Sequence, residues 1–75
     1  MSRLNYAPYD VRNATVSVLD PHEADYVEDA GRYGVDHPAG QHIVGIGADY
    51  PDVVLVGSRE RLIAVARDML TKLGA

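Results

Sequence analysis

The residues with the sharpest chemical potential lie in "PDVVLVGSRERLIAVARDML", Pro51 to Leu70, where Gly57 and Ser58 join an apolar run to a helical pattern. The first N-H groups of a helix are unpaired and its dipole favours negative charge there, so such a joint can hold a small anion. Gly57, Ser58, Arg59 and Arg61 would form that site, with Gly45 and Gly47 on the neighbouring strand. The longer phosphate signatures are missing, however. There is no G-x-x-x-x-G-K-[ST], and "GIGADY" has two glycines rather than three and opens no helix. The simpler reading makes Ser58 the N-cap and Glu60 a first-turn partner of the dipole. On that reading the joint is architecture, and anion binding is the alternative function.

Two other constellations have the right residue types without the right spacing. His22, His37 and His42, with Glu23, Asp25 and Asp36, offer imidazole and carboxylate ligands for a metal, but no pair has H-x-x-x-H spacing. Ser17, Ser58 and His42 are the pieces of a nucleophilic triad, yet neither serine lies in a G-x-S-x-G elbow. No catalytic residue, metal or cofactor is therefore assigned.

Charge is more informative. The 75 residues carry eleven acids against seven bases, a net charge of -4, and six of the seven bases are arginine. Phosphate contacts need clustered bases, so nucleic acid is not an expected partner. Asp20, Glu23, Asp25, Glu28, Asp29 and Asp36 face only Arg32 in the segment 20–36, whereas four bases fall between Ser58 and Lys72. An acidic face set off by tyrosines suits docking on a basic protein, which makes Asp25, Tyr26, Glu28, Asp29 and Tyr33 the expected partner-binding epitope.

The elements that must position these groups follow from periodicity. An apolar content of 47% is enough to fold one small domain. Residues 1–13 show no period and read as an irregular arm or an edge strand; 14–57 read as sheet with an acidic insertion at 20–40; 58–73 read as helix. "ATVSVLD" alternates as a half-buried strand, as does "HIVGIGA", where the glycines mark a bulge or a close approach. "VVLV" is apolar on both faces. "DPHEADYVEDAG" is either a short helix, capped at Asp20 and stopped at Gly31, or a turn into a strand around Tyr26. Leu62, Val65, Ala66, Met69, Leu70 and Leu73 recur at helical spacing, and Gly74 ends that helix. The expected fold is α+β, a small antiparallel sheet of three or four strands with one C-terminal amphipathic helix packed on one face.

One helix covers one face of such a sheet. The other, carrying Val54 and Val56 or else Val53 and Leu55, must be covered by Leu4, Tyr6, Ala7 and Tyr9 of the arm or by a second copy, so a homodimer built through Val54 and Val56 is expected. The chain has no cysteine, no apolar run near the ~20 residues that span a bilayer, and no apolar stretch in "MSRLNYAPYD" for a signal peptide, which leads to an expectation of a cytoplasmic protein without a membrane partner. The strand-glycine-helix ending, one third of the chain, resembles that of many small proteins of high-GC bacteria and their viruses. The resemblance and the acidic face together imply a non-catalytic accessory factor that binds and modulates a host or cellular protein.

Overall fold

The computed structural model describes residues 8–75, so the part of the expected arm at 1–7 lies outside the described residues. The chain forms β1 (Thr15–Leu19), α1 (Tyr26–Arg32), β2 (His42–Gly47), β3 (Val53–Gly57) and α2 (Arg59–Leu73). The three strands make one antiparallel sheet in the order β1-β2-β3. This is the expected small α+β fold, with three strands, a C-terminal helix packed on the sheet and a second, shorter helix. Residues 8–13 form no strand: Asp10 accepts from the Arg12 amide at 2.8 Å and the Ala14 amide closes a turn on the Val11 carbonyl at 3.0 Å.

Strand alternation sorts the side chains onto two faces. Leu19 pairs with Ile43 and Ile43 with Val56, while Ser17 pairs with Gly45 and Gly45 with Val54; these share the first face. Val18, Val44 and Leu55 align across the second. The core lies on the first face, where Leu19, Ile43, Tyr26 and Ala30 are buried and Tyr33, Val35 and Val54 pack around them. α1 is thus the element that covers the centre of this face.

The acidic segment is helical, but its signals are used differently from the sequence reading. The Glu23 side chain accepts from the Asp20 amide, but the Asp20 side chain accepts from the His22 amide rather than from Glu23, so these residues close a turn and the helix begins only at Tyr26. Gly31 is inside α1, and the left-handed residue that ends the helix is Gly34, with φ of 82°. The Val35 amide donates back to Ala30 O and the Gly34 amide to Gly31 O, a Schellman closure whose apolar contact joins Val35 to the core. Extending the helix past Gly31 aligns Tyr26, Ala30 and Tyr33 at i, i+4 and i+7 on the face that meets the sheet.

The glycines of β2 are explained by this packing. A Cβ on Gly45 would lie 2.7 Å from the Tyr33 ring and 2.8 Å from Pro51, and one on Gly47 would lie 1.9 Å from the Tyr50 carbonyl oxygen. Gly45 lets Tyr33 and Pro51 rest directly on the strand, while Gly47 lets the hairpin fold over, closed by the Asp52 amide donating to Ile46 O at 2.8 Å. The Tyr26 hydroxyl donates to the Gln41 carbonyl, which ties α1 to the loop that leads into β2. Tyr9 reaches the same hairpin, where desolvation and then the Asp52 carboxylate hold its phenol above the usual value.

Two alanine substitutions separate these glycine roles. Gly47→Ala forces backbone apart and is expected to lower stability by at least about 2 kcal/mol. Gly31→Ala meets open space within a helix and should raise it by about 0.5–1 kcal/mol. Urea unfolding of the two variants against the parent checks both signs.

Candidate functional site

The second sheet face is where the structure leaves chemistry open. Val16 and Val18 of β1, Val44 and Ile46 of β2, and Leu55 of β3 form an apolar floor, because each strand presents its alternate residues on this side. α2 forms the opposite wall. Its first turns pack on β3, and Leu62 and Ile63 are half-buried, but none of its fifteen residues is fully buried. Exposure rises along the helix to 54% at Met69 and Leu70 and 77% at Leu73. The floor is also open under β1, with Val16 68% and Val18 53% exposed.

Between floor and wall runs an apolar cleft of about 650 Å³. At one end stand Asp20, His42 and Arg59, with His42 Nε2 3.8 Å from Asp20 Oδ2. Among the described residues no serine, threonine or tyrosine lines the cleft. What it can do is remove apolar surface from water, at about 25 cal/mol per Å².

The sequence-derived site residues fall in several places. Ser58 is the N-cap of α2: its Oγ accepts from the Arg61 amide at 3.1 Å, and Glu60 lies in the first turn. The cap therefore satisfies one of the donors that an anion would have used. Gly45 and Gly47 are not beside this joint; Gly45 lies under Tyr33 and Gly47 under the hairpin at Tyr50 and Asp52, whereas Gly57 pairs with His42. Ser17 bonds the Tyr33 hydroxyl at 2.7 Å on the α1 face while His42 lies on the cleft face, so the sheet separates these triad pieces. His22 and His37 are exposed, and among the described residues no three His, Asp or Glu gather closely enough to hold a metal.

The acidic epitope is only partly at the surface. Asp25 and Glu28 are exposed, but Tyr26 is 6% exposed and belongs to the core, and Tyr33 is half-buried over Gly45. Arg32 pairs with both Glu28 at 3.0 Å and Asp29 at 3.2 Å along the same helix, one cation shared between two carboxylates. The aromatic half of "DYVEDAGRY" is thus directed inward, for the physical reason that the sheet needs a cover there. Val54 is corrected in the same way: it packs into the α1 core, and Val56, although exposed, shares its face. The open sheet face is that of Val16, Val18, Val44 and Leu55. β1 shares in this face through Val16 and Val18, a placement that their alternation in the sequence already signals.

Compared with protein-family models, with curated proteins and with solved structures, the chain matches none. Among the described residues no helix is long and apolar enough to cross a membrane.

If Ser58 serves as a cap, Ser58→Ala should destabilise the fold by about 1 kcal/mol, whereas Arg59→Ala and Arg61→Ala should each change stability by less than about 0.5 kcal/mol. Thermal unfolding with and without inorganic phosphate is the measurement. A phosphate-dependent rise in Tm that both arginine variants abolish would reverse the assignment.

Proposed function

We propose that this chain is a small non-catalytic protein-interaction module that associates through the cleft between its sheet and α2. The observation that carries this reading is the simultaneous exposure of Val16 and Val18 on the floor and Met69 and Leu70 on the wall, with Leu73 exposed beyond it at the end of the helix. Scattered apolar residues on a surface need no explanation, but two facing apolar walls form a contiguous patch of the kind that marks a binding site. A small ligand would fill the cleft's depth without reaching Leu73 at the end of the helix. A protein surface covers both.

The acidic flank has a secondary part in this reading. Asp25 and Glu28 are exposed, so they act on a basic partner at long range and orient its approach, while apolar burial supplies the affinity. The wider expectation, a modulator of a cellular protein working in the cytoplasm, is retained as part of the proposal.

Photo-crosslinking tests the reading. A benzoyl-phenylalanine at position 69, within the cleft, should yield protein adducts in cells, while one at position 27, where Val27 is exposed on α1 away from the cleft, should yield few. Equal adduct formation at both positions, or none from position 69, would remove the cleft as a protein-binding surface.

A further inference from the structure

We infer that the polar pocket between β1, the end of α1 and the β2–β3 hairpin takes an arginine side chain of a partner protein, its guanidinium held by Thr15, Tyr33 and Asp49 beside the Tyr50 ring. The pocket lies across the sheet from the apolar cleft and shares no lining residue with it. It is a second site.

The pocket exists because of the glycine row of β2. Thr15 pairs with Gly47 and Ser17 with Gly45, so the two hydroxyl residues of β1 have no side chain opposite them on this face. Tyr33 and Pro51 close over Gly45, the turn at Ala48, Asp49 and Tyr50 makes the other wall, and about 190 Å³ is left between them. That is the space of about six waters at about 30 Å³ each, enough for a guanidinium and part of its stem.

The direction of the hydrogen bonds sets what the pocket can hold. A hydroxyl has one proton to give and two lone pairs to receive with. Thr15 Oγ1 donates to Gly47 O at 3.1 Å and Ser17 Oγ to Gly45 O at 3.5 Å, so the donor in the 2.7 Å contact between Ser17 and Tyr33 is assigned to the tyrosine. Each hydroxyl proton is then committed inside the protein. What remains toward the pocket is lone pairs, on Thr15 Oγ1 and Tyr33 Oη, together with the carboxylate of the exposed Asp49. An acceptor surface of this kind calls for a ligand group made only of donors.

Guanidinium is that group. It is planar and always charged, offers five N-H donors in a fixed fork with no acceptor, and stacks on aromatic faces, whereas an ammonium is a strongly hydrated point charge. Tyr50 lines the pocket and is 82% exposed, which leaves its ring available for such stacking. Among the described residues no base lines the pocket, so the charge of Asp49 is there for a cation from outside. The net charge of -4 draws such a cation in. A free amino acid would bring its α-carboxylate to a surface of acceptors, and this is what assigns the guanidinium to a protein side chain.

Titration of the isotope-labelled full chain with N-acetylarginine amide, followed by NMR, tests this. Amide shifts that saturate at Thr15, Ser17, Asp49 and Tyr50 are expected, with none from N-acetylcitrulline amide, which keeps the shape but is neutral, and weaker binding of N-acetyllysine amide. Asp49→Asn should weaken binding about 10-fold and Tyr50→Leu about three-fold, and because both positions are exposed the spectra should show the fold intact. No shift at these residues in the parent, equal affinity for the citrulline or lysine derivative, or undiminished binding by Asp49→Asn overturns the site. Binding of free arginine without binding of N-acetylarginine amide overturns the protein side chain as its occupant. Crosslinking at position 69 reports on the cleft alone, so the two proposals fail separately.

Discussion

A sheet that is apolar on both faces has to be covered twice, and the rest of this structure follows from how unevenly the chain meets that constraint. On one face α1 brings Tyr26, Ala30 and Tyr33 onto Leu19, Ile43 and Val54 and forms the core. On the other, α2 packs with its first turns and leaves Val16 and Val18 in water. A chain of this size buries only about 60% of its unfolded surface, so a second sealed core within it would be difficult to build. The exposed face is the consequence.

The covered side depends on close approach. The row facing α1 on β2 runs Ile43, Gly45, Gly47, one large side chain followed by two positions with none. The Tyr33 ring and Pro51 occupy the space above Gly45, and the hairpin backbone folds over Gly47. Dense packing tolerates no added atom at such places, which is why the glycines, weak strand formers elsewhere, are required here. The Ser17–Tyr33 hydroxyl contact and the Tyr26 bond to Gln41 O satisfy the polar tips of the two aromatic residues at the edge of this core.

The open side has a different logic. Its residues are β-branched or aliphatic, they line up across the three strands, and the helix above them has apolar side chains to spare. Recognition through apolar burial needs shape and area rather than reactive groups, and the described lining offers mostly apolar side chains. Asp20, His42 and Arg59 at its end add direction to what is otherwise a uniform surface.

Period alone determined much of this protein. Alternation in "TVSVL" and "HIVGIG" specified strands, the i, i+3, i+4 spacing after Ser58 specified α2, and local hydrogen bonding specified its cap at Ser58 and its end at Gly74, because each is decided within a few residues. Tertiary structure decided what no local rule reaches. Asp20, Pro21 and Glu23 spell a capping signal, but the chain uses it to close a turn, since the helix must start at Tyr26 to place Tyr26, Ala30 and Tyr33 against the sheet. Gly31 looks like a stop, yet Gly34 is the residue whose left-handed backbone carries Val35 into the core. Tyr26 and Val54 read as surface contacts by composition and are inward because α1 covers their face. The cleft was illegible for the same reason. Which face of a sheet lacks cover depends on where both helices lie, and that is set by packing between residues far apart in the chain rather than by the pattern of any one segment.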